Sequence, residues 1–141
     1  VIAVPLIKVP KRKTAVARSV LPKRVPLGSV VHNISNASTI VAGFILNDVC
    51  MMAKGINDVI IEPARKHLIP GFETVTESAL QAGALAVAIS GAGPTMISFL
   101  KTEENGKCVA KAMRAGFRRS KIKSKSFICR PSEGAKIIMT K

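Results

Sequence analysis

The stretch ALAVAISGAGPTMISFLK, residues 84–101, decides the fold. Ala84–Ser90 and Thr95–Lys101 are two short apolar runs of strand length. Between them stands Gly91-Ala92-Gly93-Pro94, a connection of hairpin length, so the pair predicts two antiparallel strands. Upstream, Phe72, Val75, Ala79 and Leu80 recur at helical spacing, and Gly83 is placed to close that helix. Downstream, Thr102 is placed to cap a second helix, with Glu103 and Glu104 at its positive pole. Val109, Met113 and Phe117 form the apolar face of that helix, and Arg118, Arg119 and Lys121 suit its negative pole. Ser126–Arg130 and Ala135–Met139 read as closing strands, and the run Val1–Val9 reads as an opening one.

The segment between the opening strand and Phe72 is expected to be helical. Thr14 is placed to cap a short helix that ends before Pro22. From Leu27 to Asn47, Val30/Val31, Ile34, Ala37, Val41 and Phe44/Ile45 recur as one stripe, expected to be buried. A further helical stretch runs from Asp48 to Ile61 with Gly55 interrupting it, and Pro63 and Pro70-Gly71 frame a loop. The order is strand, helices, strand, strand, helix, strand, with one extra strand. This predicts an α+β domain with a ferredoxin-like split β-α-β sheet and helices packed on one face.

A chain of 141 residues fits one domain with a real core. Its hydrophobic share of 48% excludes intrinsic disorder, and with five Phe, no Trp and no Tyr the core must come from Val, Ile, Leu, Ala and Met. The longest apolar stretch, near Ile40–Leu46, is far below the roughly 18–20 residues of a membrane span. No signal segment opens the chain, so an intracellular protein is expected. Cys50, Cys108 and Cys129 are widely spaced, without CxxC or neighbouring His, and read as reduced, partly buried thiols.

The formal charge is +14, and it is uneven. Residues 1–47 hold seven basic and no acidic residues, 48–104 four basic and seven acidic, and 105–132 nine basic and no acidic. Such a surface attracts nucleic acid, anionic membranes or phosphorylated metabolites. Single-strand readers of this fold stack bases on sheet aromatics, and here only Phe99 and Phe127 are offered, without the RNP1 pattern. A basic nucleic-acid-binding module is therefore the weaker alternative.

Gly91, Ala92 and Gly93 form a turn whose N–H groups can face an anion, although a Gly-rich hairpin alone is commonly only a hairpin. No Gly-Lys-Ser/Thr follows it, so it is not a P-loop. Arg65 and Arg18 can each clamp a carboxylate or phosphate; alone, each also reads as an exposed charge, Arg65 paired with Glu62. His32 reads as a satisfied boundary residue, and His67 has no relay partner. The carboxylates are too few and scattered for a metal cluster.

In order and together, these pieces resemble homoserine kinases of the GHMP small-molecule kinase family. TAVARSVLP (residues 14–22) resembles that family's T-x-x-A-R-x-x-L-P. Val31-His32-Asn33 resembles the start of its next long helix. DVIIEPARKHLIPGF (residues 58–72) resembles D-x-I-x-E-P-x-R-x-x-L-I-P-G-F. Residues 77–95, ending AGALAVAISGAGPT, resemble its helix–strand–turn run, which carries the third GHMP signature. Gly134–Ile138 resembles its closing strand. The similarity spans roughly residues 9–138, and the EPxR…LIPGF combination separates it from mevalonate and galactose relatives.

The resemblance implies a C-terminal GHMP domain, transfer of the γ-phosphate of ATP to the side-chain hydroxyl of L-homoserine, and a place in threonine biosynthesis. It implies that Arg18 and Arg65 grip the substrate's carboxylate side. It places Thr14 near the reacting hydroxyl, as the catalytic residue, and has Gly91, Ala92 and Gly93 support the substrate. It implies ATP and Mg²⁺ held mainly by an N-terminal half, whose P-x-x-x-G-L-G-S-S-A loop is absent from these 141 residues. The expectation is thus a single C-terminal-type domain over 1–141, inactive alone, whose partners are L-homoserine and the missing half, with room for a homodimer. A non-catalytic amino-acid-binding remnant is a further alternative. The compartment expected is the cytoplasm, or a plastid if the source is a plant.

Overall fold

The computed structural model describes residues 1–132 and 134–139. Four strands, β1 (Ile2–Pro5), β2 (Ala86–Ile89), β3 (Met96–Phe99) and β4 (Ser124–Phe127), form one sheet in the order β2-β3-β1-β4. Every neighbouring pair is antiparallel, with Ile2 opposite both Ile97 and Phe127, and Ile89 opposite Met96. This is the split β-α-β arrangement expected from the hairpin.

Strand alternation gives the sheet two different faces. Val1, Ala3, Val87 and Met96 point to one side, where helices α5 (Phe72–Gln81) and α6 (Gly106–Arg119) cover them. Val75, Ala79, Val109, Met113 and Phe117 complete that core. Aliphatic side chains, two methionines and two phenylalanines fill the layer between helices and sheet, as the scarcity of aromatics required. The opposite face carries Ile2, Ile97, Phe99 and Phe127.

The helices between β1 and α5 are α1 (Lys13–Ser19), α2 (Leu27–Ile45), α3 (Val49–Lys54) and α4 (Ile61–Arg65), which runs into a 3-10 turn at Lys66–Leu68. Helices α2 and α3 form a hairpin, and a groove of about 780 Å³ separates it from the second sheet face between Phe44, Met52 and Phe99.

Several expectations change. The opening strand ends at Pro5, well short of Val9. The stretch 48–61 breaks: α3 stops at Gly55, and the Pro63 region forms α4, with Pro63 in the first turn where its missing N–H costs nothing. Thr14 lies inside α1, which starts one residue earlier. Thr102 does not cap α6: a turn closed by the Gly106 N–H on the Glu103 carbonyl at 2.8 Å delays that helix to Gly106. Strand β4 spans Ser124–Phe127, two residues before the expected start, and residues 135–139 form no strand. Their apolar content favours extension, but a strand also needs a ladder and a covered face, and Ile138 is 95% exposed. Among the thiols, Cys50 is half-buried and Cys108 and Cys129 are exposed.

The largest change concerns α2. Val31, Ile34, Val41 and Ile45, read as a buried stripe, are exposed. The side of α2 turned to the rest of the domain carries Asn33, Asn36, Ile40 and Gly43 instead.

Candidate functional site

Two segments that are far apart in sequence meet at the N-terminal end of α1: this helix and the glycine turn between β2 and β3. Arg65, at the end of α4, joins them. Its Nε donates to the Ala17 carbonyl at 2.9 Å and its Nη1 to the Gly91 carbonyl at 3.3 Å. Lys13 adds a second tie, with Nζ donating to the Gly93 carbonyl at 3.2 Å. The expected pairing of Arg65 with Glu62 does not form, because the guanidinium is engaged with these carbonyls. Among the described residues two of its five N–H groups are used, and the other three can meet a ligand.

The turn is tightly built. The Ser90 N–H reaches the Thr95 carbonyl at 2.8 Å and the Gly93 N–H the Ser90 carbonyl at 3.0 Å. Gly91 and Gly93 have φ of 60° and 70°, a region where a Cβ is strained, and the Gly93–Pro94 peptide is cis. Among the described residues the N–H groups of Gly91 and Ala92 make no hydrogen bond. Such amides are what an anion needs. Beside the turn, a small cavity of about 120 Å³ lies between Lys13, Val16, Arg65, Ile69 and Gly93.

Thr14 and Arg18 sit one helical turn apart on α1 and are both exposed. The fold therefore gathers α1, Arg65 and the Gly91–Gly93 turn at one place, with Thr14 and Arg18 on the outer part of α1. Lys13 stands in a run of charge before Thr14; its tie to the turn needs the folded partner and has no local signal.

Asp58 was also missed, and it fixes α4. One oxygen, Oδ1, accepts from the Ile60 N–H at 2.8 Å and the Ile61 N–H at 2.9 Å, while Oδ2 accepts from the Glu62 N–H at 2.8 Å. Asn33 of α2 donates to Oδ1 at 2.7 Å and accepts from the Val59 N–H at 3.1 Å. His32 and Asn36 meet the Asn57 carbonyl nearby. Asp58 stands two residues ahead of Ile60, the N-cap residue, and reaches forward across it as in an Asx turn, so the N-cap position itself gives no signal in the sequence. Burial alone would push the Asp58 carboxyl up, but the three N–H donors and Asn33 outweigh it and hold it below its ordinary value.

A prediction follows from that sign. A depressed folded pKa gives stability that is present above the ordinary value and is lost as pH falls through the folded one. Asp58→Ala is expected to lower unfolding free energy by about 1–2 kcal/mol at neutral pH. Near pH 3 the gap from the parent protein should narrow. Urea melts of both proteins at the two pH values measure this; equal stability at neutral pH would refute the cap.

Above α4 a cavity of about 510 Å³ opens between α2 and the second sheet face, with Glu62, Arg65, Ser90 and Gly91 at one end. Burial, with Asp58 and Glu73 adding repulsion, pushes the Glu62 carboxyl up, and the Ile89 amide offsets part of this. Among the described residues no three His, Cys, Asp or Glu side chains come together to hold a metal. The sequence carries no G-L-G-S-S-A loop for a nucleotide phosphate.

Residues 40–119 match the family described as GHMP kinases C terminal. The chain belongs to the GHMP kinase family, as its C-terminal domain. The GHMP domain is similar to proteins named homoserine kinase. That of Chlorobaculum tepidum is 38% identical over 133 residues, covering 91% of this chain and 40% of the relative. That of Pyrobaculum neutrophilum is 38% identical over 135 residues, covering 96% and 45%. The crystal structure of homoserine kinase from Cytophaga hutchinsonii superposes with a TM-score of 0.82 at 37% identity, covering 88% of this chain and 38% of that one. The GHMP domain thus spans less than half the length of these relatives. Among its described residues no helix is long and apolar enough to cross a membrane.

Proposed function

We propose that the chain is the substrate-binding half of a homoserine kinase. Completed by an ATP-binding half, it would transfer the γ-phosphate of ATP to the side-chain hydroxyl of L-homoserine, giving O-phospho-L-homoserine for threonine biosynthesis in an intracellular compartment. The observation that carries the reading is the double tie of Arg65 and Lys13, which sets the Thr14–Arg18 helix against the glycine turn. Three unused N–H groups of Arg65 and the guanidinium of Arg18 supply planar donors for the substrate carboxylate. Thr14 stands on the same helix as Arg18, toward the reacting end. The unpaired amides of Gly91 and Ala92 offer stabilisation where anionic charge lies. Catalysis of this class rests on positioning and charge stabilisation, and a rigid concave site provides the first. ATP and Mg²⁺ belong to the other half.

The test is a chimera that joins residues 1–141 to the part of the Chlorobaculum tepidum enzyme preceding its matched region. Homoserine-dependent ADP release is expected, and Arg18→Ala should raise KM for homoserine by about 10-fold or more. A folded chimera that binds ATP yet shows no homoserine-dependent turnover would overturn the reading.

The nucleic-acid alternative has less support from the geometry. Lys107, Lys111, Arg114 and Arg118 form an exposed stripe on α6, whereas Phe99 and Phe127 lie on the sheet face turned away from α6. The α6 stripe and the aromatics thus lie on opposite sides of the sheet, and in the strands Lys125 is the cation that shares the face of Phe127, an arrangement that favours the kinase reading.

A further inference from the structure

Helix α6 keeps cations where local preference is against them. Lys107, Lys111, Arg114 and Arg118 follow one another at four-, three- and four-residue steps and are all exposed, so they form one row about 16 Å long. Like charges at such steps repel, which weakens the helix that carries them. Lys107 stands in the first turn, at the positive pole, with no acidic residue in that turn. Glu103, just ahead of the helix, is bound to Arg130 instead. Just past the helix, Lys121 has φ of 60°, the left-handed conformation that glycine most often supplies at a helix end. Its N–H bonds to the Arg118 carbonyl at 2.9 Å, so it continues the row. Among the described residues none of these five cations makes an ion pair, and the one side-chain bond of the row runs from Arg114 Nη1 to the Ser126 hydroxyl at 3.0 Å. A face that serves solubility alone is better built from alternating signs. Three departures from local preference, all toward positive charge, point to negative charge supplied from outside the chain.

We propose that this row is a docking surface for the phosphodiester backbone of a nucleic-acid duplex, bound without regard to sequence. It is separate from the Arg65 site and does not depend on the functional reading above. What stands beside the row selects the occupant. The flanking positions on the outer side are Cys108, Ala115 and Arg119. They offer no aromatic on which an unpaired base could stack, and no large apolar side chain to enter a lipid surface. A duplex hides its bases and presents phosphates along a stiff line, with one negative charge about every 1.7 Å of its axis. A rigid helix carrying the cations meets such a line with no segment left to order. An acidic peptide brings similar charge but must first be fixed in one conformation.

The test is fluorescence anisotropy of two labelled DNA duplexes of unrelated sequence, each about 20 base pairs long, titrated with the chain between about 50 and 200 mM salt. The two dissociation constants should agree within about 3-fold, and the logarithm of the binding constant should fall with the logarithm of salt at a slope of about −4. Lys107→Gln with Lys111→Gln should make that slope shallower by about 2 and weaken binding by about 10-fold or more at the lowest salt. The same pair should raise the melting temperature slightly, because it relieves repulsion along α6. Lys23→Gln with Arg24→Gln removes equal charge from the exposed stretch before α2 and should cost less than about 3-fold. An equal loss from this second pair would reduce the effect to net charge and overturn the proposal. So would a fall in melting temperature for the α6 pair, which would make the row a stabilising element. A poly-glutamate peptide, or vesicles of phosphatidylcholine and phosphatidylserine, binding as tightly as the duplex would reassign the surface and overturn it too. Preference for one sequence by more than about 10-fold would overturn recognition through the backbone.

Discussion

Replacing Gly116 by Ala is expected to lower the unfolding free energy by about 3 kcal/mol and the melting temperature by on the order of 10 °C. Gly116 lies in α6 where that helix crosses α5. A Cβ there would stand 2.7 Å from the Val75 Cα and 3.0 Å from both the Thr74 carbonyl oxygen and the Val75 amide nitrogen. All three are backbone atoms, so no rotamer change relieves the overlap, and the two helices must separate. Separation is costly because α5 and α6 enclose Val75, Val109, Met113 and Phe117, none of which is exposed at all. A more favourable helix propensity for Ala than for Gly offsets about 1 kcal/mol at most. Gly28→Ala is the control: its Cβ would meet nothing within 4 Å, so propensity alone should act and stability should rise slightly. Thermal melts followed by circular dichroism decide the matter; equal melting temperatures for Gly116→Ala and the parent would show that the helices do not approach as described.

The contrast between α6 and α2 explains how far sequence reading could go. Val109, Met113 and Phe117 recur at helical spacing, and the structure buries all three. Val31, Ile34, Val41 and Ile45 recur in the same way, and the structure exposes them. Periodicity reports that one side of a helix is apolar, and it is silent about whether the matching surface belongs to the same chain. The hairpin at residues 84–101 was legible because its turn residues and both strands are contiguous. The strand expected at residues 135–139 fails for the opposite reason, since propensity cannot supply an edge to pair with.

The site divides similarly. Arg18, Arg65 and the glycine turn were found through ordered motifs, and α1, Arg65 and the turn do come together in space. The roles of Lys13 and Asp58 depend on contacts across long stretches of chain. Lys13 reaches Gly93, and Asp58 meets Asn33, by pairings that no local window displays. The motif reading also gave Arg65 a single task, gripping substrate. The structure shows a different one: its Nε and Nη1 hold α1 and the glycine turn together.

That tie, with the grip on substrate proposed above, makes Arg65 the residue whose loss should matter most to activity. In Arg65→Ala the Ala17 and Gly91 carbonyls lose their shared donor, so α1 and the turn are left with the hold of Lys13 on Gly93, while the proposed substrate clamp loses a planar cation. A displacement of about 1 Å at such a site costs on the order of 100-fold in rate, and loss of the carboxylate clamp adds to it. Arg65→Ala in the chimera is therefore expected to lower kcat/KM by more than about 100-fold. Arg65→Lys separates the two tasks. Lysine keeps the charge but cannot place Nε and Nη1 on two carbonyls at once. If positioning dominates, the lysine variant should lose kcat nearly as severely as the alanine variant. If Arg65 acts only as a cation for the carboxylate, lysine should restore most of the activity and leave a KM defect alone. Amide exchange gives the independent readout: both substitutions should speed exchange at Leu21 and Gly93, whose N–H groups bond within the two tied segments at 3.2 Å and 3.0 Å. Unchanged exchange at both amides would refute the tie, whatever the kinetics show.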